Sequence, residues 1–113
     1  MRIVYTAHSH YTTDRSKDIA VFALKAGYVP IDPFLVLPPI VYDYLGFKEE
    51  DCVNTDINLL RHCAELWVFG SCDSPGVSKE IDWWHKNRGY RMIRHFNWDN
   101  LPRVFSESKE VKN

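Results

Sequence analysis

Between Asp56 and Glu80 the chain reads DINLLRHCAELWVFGSCDSPGVSKE, and the residue types in this stretch are those of a reactive site. Asp56 is predicted to open an amphipathic helix. Leu66-Trp67-Val68-Phe69 then forms an apolar strand that breaks at Gly70, and Ser74-Pro75-Gly76 leads into a second helix with Glu80 in its first turn. A strand, a tight loop and a helix N-terminus leave unpaired amide N–H groups pointing outward, which makes an anion site. A carboxylate beside such a site suits an anionic substrate that is held while the carboxylate attacks it. Each residue also has a plain structural reading. Glu80 would favour the helix dipole, Asp56 suits a helix start, Ser74 would cap its helix, and Tyr5 would be a core tyrosine.

The elements that must position these residues follow from periodicity. Ile3, Val4 and Tyr5 belong to a first strand within Arg2 to Ala7. Thr13-Asp14-Arg15-Ser16 offers caps for a helix that turns Ile19, Ala20, Phe22, Ala23 and Leu24 inward and ends at Gly27. Tyr28 to Ile31 is a second strand, and Asp32 to Pro39 is too broken by proline for a regular element. Ile40 to Leu45 reads as a short helix before Gly46, and Asn54 or Thr55 caps the next one. Leu66 to Phe69 suits a sheet centre covered on both faces. Pro75 to Lys86 is helical, Arg91 to Phe96 is a fourth strand, and a terminal helix starts at Asp99.

This alternation predicts one α/β domain: a flavodoxin-like three-layer sandwich with four or five mainly parallel strands. With strand order 2-1-3-4, the ligand crevice lies beyond the carboxyl ends of strands one and three. Tyr5, His8, Ser9 and His10 would then face Ser74 and Glu80. Asp32, just after strand two, is placed to reach a ribose, and Phe34 to stack on a base.

Composition narrows the partners. The 113 residues are 45% hydrophobic and 26% charged, with a net charge of −1, so no basic face advertises a nucleic-acid polymer. No apolar run approaches the roughly 20 residues of a membrane span, and MRIVYTAHSH reads as a first strand rather than a signal peptide. Cys52, Cys63 and Cys72 are odd in number and lack CxxC spacing, which points to reduced thiols and a cytoplasmic setting. His8-Ser9-His10 could start a metal site, but no third ligand follows, so neither metal nor cofactor is expected. SESKEVKN, 106–113, reads as a mixed-charge tail. Trp83, Trp84 and Trp98 are aromatic surface candidates for a symmetric homodimer, with one of the Trp83–Trp84 pair in the core.

Tyr5 on the first strand, Asp56, and Ser74-Pro75-Gly76-Val77-Ser78-Lys79-Glu80 together resemble the pattern of the nucleoside 2-deoxyribosyltransferase superfamily. The motif spacing is most similar to that of 2'-deoxynucleoside 5'-phosphate N-hydrolases and their small bacterial and phage relatives. The likeness covers roughly residues 2 to 95. It implies a small-molecule nucleoside or nucleotide substrate, with Glu80 as the nucleophile at the anomeric carbon, Tyr5 orienting it, and Asp56 contacting the sugar or handling a proton at the leaving base. Ser74, Gly76 and Ser9 would bind a 5'-phosphate, with His8, Gly70, Asp32 and Phe34 completing the substrate site. The first loop, His8-Ser9-His10-Tyr11, is bulkier than the family's, and Gly70 stands where transferases carry an acid. Those departures suit a second reading, a protein that binds a nucleotide or nucleotide-derived signal without turning it over. A third reading is an interaction domain that uses its tryptophans and tail.

Overall fold

The computed structural model describes residues 1–105; the expected tail, 106–113, lies outside the described residues. Strands β1 (Arg2–Ala7), β2 (Tyr28–Ile31), β3 (Glu65–Phe69) and β4 (Ile93–Phe96) pair in the order β2-β1-β3-β4, all parallel. Their connections carry helices α1 (Ser16–Lys25), α2 (Pro33–Val36), α3 (Pro39–Leu45), α4 (Glu49–Leu60) and α5 (Pro75–Arg88). Successive strand residues point to opposite faces, and the core divides accordingly. Tyr5, Ala7, Leu66 and Val68 pack with Leu60 of α4 and with Val77 and Trp84 of α5. Val4, Trp67 and Phe69 pack with Ile19 and Ala23 of α1 on the other face. The result is the expected flavodoxin-like three-layer α/β sandwich, with β3 buried along its whole length.

Several elements differ from the sequence reading. Helix α4 begins before Asn54 and Thr55, because Glu49, Glu50 and Asp51 fill its first turn and the Asp51 carboxylate accepts the Lys48 N–H at 3.0 Å. Asp56 therefore lies well inside the helix rather than at its head. Glu80 lies beyond the first turn of α5 and is buried, so helix-dipole stabilisation does not account for it. The segment after β2 is more regular than expected, since Asp32 caps α2 by accepting the Phe34 N–H at 2.9 Å. A 3-10 turn, His10–Arg15, capped by Ser9, precedes α1, whose N-cap position falls on Arg15 within the expected Thr13 to Ser16 but has no side-chain cap bond. Leu24 is 53% exposed rather than inward.

At the C-terminal end, Trp98–Asn100 forms only a 3-10 turn where a helix was expected. Trp84 is core, with its indole N–H donating to the Arg91 carbonyl at 2.9 Å, so it is no surface candidate. Trp83 and Trp98 are half-buried. Among the described residues, no helix is long and apolar enough to cross a membrane.

Gly70 ends β3 at φ +80°, and a Cβ there would lie 2.2 Å from Nε1 of Trp98. An alanine must both hold a left-handed backbone and displace the indole. Gly70→Ala is expected to lower stability by about 3 kcal/mol, read as a drop in the urea midpoint. An unchanged midpoint would mean that Trp98 gives way freely.

Candidate functional site

The carboxyl ends of β1 and β3 open into a cleft of about 660 Å³. Its walls come from the loop after β1 (His8, Ser9, His10, Tyr11), the start of α2 (Pro33, Phe34), α4 (Glu49, Cys52, Val53, Asp56), and the loop and first turns of α5 (Ser71, Asp73, Ser74, Pro75, Gly76, Val77, Glu80). Strand order creates this meeting point: β1 lies between β2 and β3, so the chain leaves β1 toward one side and β3 toward the other.

Glu80 lies in the wall of the cleft. Its side chain is 5% exposed, and Oε2 accepts a hydrogen bond from the Tyr5 hydroxyl. Tyr5 itself is fully buried, two residues before the end of β1, in register with Leu66 of β3. Burial drives the Glu80 carboxyl up to about 8, the Tyr5 hydrogen bond works against that rise, and nearby Asp56 and Asp32 add to it. A hydrogen bond from Tyr5 favours the ionised carboxylate, but desolvation outweighs it. Burial also raises the Tyr5 hydroxyl well above its ordinary value, with the Glu80 charge reinforcing the effect.

Asp56 reaches the same cleft from α4. Oδ1 accepts the Tyr42 hydroxyl at 2.9 Å, and burial lifts the carboxyl to about 6 against the lowering effect of that bond. Tyr42 stacks on Phe47, with ring centroids 5.5 Å apart. The two carboxylates are thus each held by a tyrosine, one from the sheet and one from α3.

The remaining expected residues fall into three groups. Ser9, Ser74, Gly76, His8 and Phe34 line the cleft, although both serines already serve as caps: Ser9 Oγ accepts the Tyr11 N–H at 3.2 Å and Ser74 Oγ the Val77 N–H at 3.4 Å. Asp32 does not line it. Its Oδ2 lies 2.7 Å from His8 Nε2 and accepts from Thr6 Oγ1 at 3.3 Å, while Oδ1 caps α2, so it holds His8 and Phe34 in place rather than reaching a ribose. Gly70 faces a separate shallow hollow with His95, Asn97 and Trp98, and its small size is required by the indole against it.

His8 has both ring nitrogens engaged. Nδ1 lies 2.8 Å from Thr12 Oγ1, and Nε2 contacts Asp32 and, at 3.3 Å, Ser16 Oγ. A buried imidazole so occupied is a poor metal ligand. Its ring meets Phe34 edge-on at 5.0 Å.

Sequence reasoning missed Tyr42, Glu49, Cys52 and Asp73. Asp73 could have been found beside Ser74 in the loop. Tyr42 gave no signal, because the reach from α3 to Asp56 depends on how α3 and α4 turn at Gly46. Among the described residues no lysine or arginine lines the cleft, whereas Glu49, Asp56, Asp73 and Glu80 all do.

A family model described as Domain of unknown function (DUF7768) matches residues 4–94, a span that includes Tyr5, Asp56, Ser74 and Glu80. No curated protein and no solved structure gives a significant match to the chain.

Proposed function

The chain belongs to the family described as Domain of unknown function (DUF7768), and from that premise we propose that it cleaves or transfers at the N-glycosidic bond of a (deoxy)nucleoside or nucleoside 5'-phosphate. The observation that carries this reading is the pair of tyrosine-held carboxylates, Glu80 and Asp56, in one cleft. Breaking an N-glycosidic bond builds positive charge at the anomeric carbon, and a carboxylate beneath that carbon stabilises or captures it. A second acid on the far side protonates a neutral leaving base. Glu80 takes the first role and Asp56 the second; Phe34 offers an aromatic wall to the base. The resemblance to the nucleoside 2-deoxyribosyltransferase superfamily assigns the same roles to the same residues.

Base release from a panel of nucleosides and deoxynucleosides, neutral and cationic in the base, and their 5'-monophosphates, followed by chromatography, tests the reading. Free base that accumulates in proportion to enzyme and time is expected; its absence across the panel would rule the reaction out. A second reading, a binding protein without turnover, is favoured by the burial of Glu80, which pushes its carboxyl up to about 8 and so disfavours the ionised nucleophile. A rise in melting temperature with ligand but no released base would select it.

The working assembly on this reading is a homodimer. Helix α3 leaves Ile40, Val41, Tyr44 and Leu45 exposed, an apolar face that a second copy of the chain would cover. Light scattering at micromolar concentration is expected to give twice the chain mass, and a monomer would count against it.

A further inference from the structure

We propose that the base bound in this cleft is positively charged and that the ligand carries no phosphate, so that the substrate class is an N-glycoside of a cationic aromatic base, of which a pyridinium N-riboside is the simplest. This rests on the N-glycosidic reading and narrows it. The first support is the charge of the walls. Glu49, Asp56, Asp73 and Glu80 line the cleft, and among the described residues no lysine or arginine does. His8 adds no free positive donor, since its ring nitrogens face Thr12, Ser16 and Asp32. A phosphate placed at Ser74 would have Asp73 as its neighbour, and the Val77 N–H at that helix start already donates to Ser74 Oγ.

The second support is the open valence of Glu80. Its side chain is more than nine-tenths buried and Oε2 is bonded to Tyr5, but Oε1 has no hydrogen bond of its own. No fully enclosed side-chain oxygen or nitrogen among the described residues lacks a partner, so Oε1 must open onto the cleft. A buried carboxylate oxygen facing a space walled by other carboxylates is stabilised by an incoming cation and destabilised by an anion. Phe34 and Tyr11 give that cation aromatic surface to lie against.

The chemistry agrees with the charge. When the C1'–N bond of a cationic base breaks, its electron pair stays on the ring nitrogen and the base leaves neutral, so no proton donor is needed. A Glu80 carboxylate oxygen bonds to C1'. Water then attacks C1', the ester bond returns its pair to Glu80, and the proton of the water passes to Asp56 and on to solvent. The bound cation also favours release of the Glu80 proton to solvent, against the burial that raises the carboxyl, so the nucleophile forms when the substrate arrives.

The test uses two measurements on the full chain. Base release is compared for nicotinamide riboside, its 5'-phosphate nicotinamide mononucleotide, and 2'-deoxyadenosine. Binding of N1-methylnicotinamide and of neutral nicotinamide is titrated by ligand-observed NMR. The riboside should be cleaved with a kcat/KM at least tenfold above both other compounds, and the methylated cation should bind at least tenfold tighter than nicotinamide. Asp56→Asn and Asp73→Asn should each shrink that binding preference. Equal binding of the two nicotinamides, or faster cleavage of the mononucleotide, overturns the proposal. If the neutral nucleoside is cleaved and the cation is not preferred, this proposal fails and the N-glycosidic reading stands. If the cation is preferred but no compound releases base, the cation site is supported and the reaction is lost.

Discussion

Glu80→Gln is expected to abolish base release while leaving the fold in place. The amide keeps the shape of the side chain and can still accept the Tyr5 hydrogen bond through its oxygen, but it cannot form a stable bond to an anomeric carbon. Loss of a covalent nucleophile commonly lowers turnover by about three orders of magnitude or more. Tyr5→Phe should cost less, because it removes the bond that aims the carboxylate and leaves the carboxylate itself. Asp56→Asn should fall between the two for a neutral leaving base, since the protonating acid is gone. The measurement is single-turnover base release, with the melting temperature checked for each variant. Undiminished release by Glu80→Gln would mean that the mechanism is wrong. If the wild-type chain binds ligand and never turns it over, the cleft is a receptor and the chemistry assigned to Glu80 has no substrate.

How far the sequence revealed this site depended on which forces placed each residue. The sheet was legible because β1 and β3 are short apolar runs between helical repeats, and strand order and connection handedness leave few alternatives. Tyr5 and Glu80, 75 positions apart, were paired through motif spacing, and their hydrogen bond now gives that pairing a geometry. Asp56 was placed in the right cleft for the wrong local reason: the helix it was thought to open begins at Glu49, where three acids in a row supply a first turn. Asp32 and Gly70 were misread because their partners are remote in sequence. Asp32 is used up by His8, Thr6 and the α2 cap, and Gly70 answers to Trp98. Glu65 was overlooked as well; it extends β3 by one residue, accepts the Trp67 indole N–H at 2.9 Å and lies near Arg2 and Arg94. Contacts of that kind depend on side chains from several elements, and local periodicity carries no trace of them.

The same burial that tunes Glu80 makes the free protein sensitive to pH. The carboxyl is raised from 4.5 to about 8 on folding, so the native state binds a proton that the unfolded chain releases. Its stabilising contribution is complete below about pH 4.5 and is lost as pH rises through about 8. Asp56, raised from 3.8 to about 6, acts in the same direction over a lower window. At 1.36 kcal/mol per pKa unit, the Glu80 term is on the order of 4 kcal/mol between those limits. Stability of the ligand-free wild type should therefore fall steadily from pH 5 to pH 8.5. Glu80→Gln, which carries no charge at any pH, should lose most of that slope, melt close to the wild type near pH 5, and melt roughly 15 °C higher at pH 8.5. The melting curves are measured without ligand, since a bound cation would restore the ionised form. Equal slopes in the two proteins would show that Glu80 is not the group whose proton the fold retains. A large difference would show that the fold gives up stability at neutral pH to keep a carboxylate where water is scarce, which is hard to explain for a residue with only a packing role.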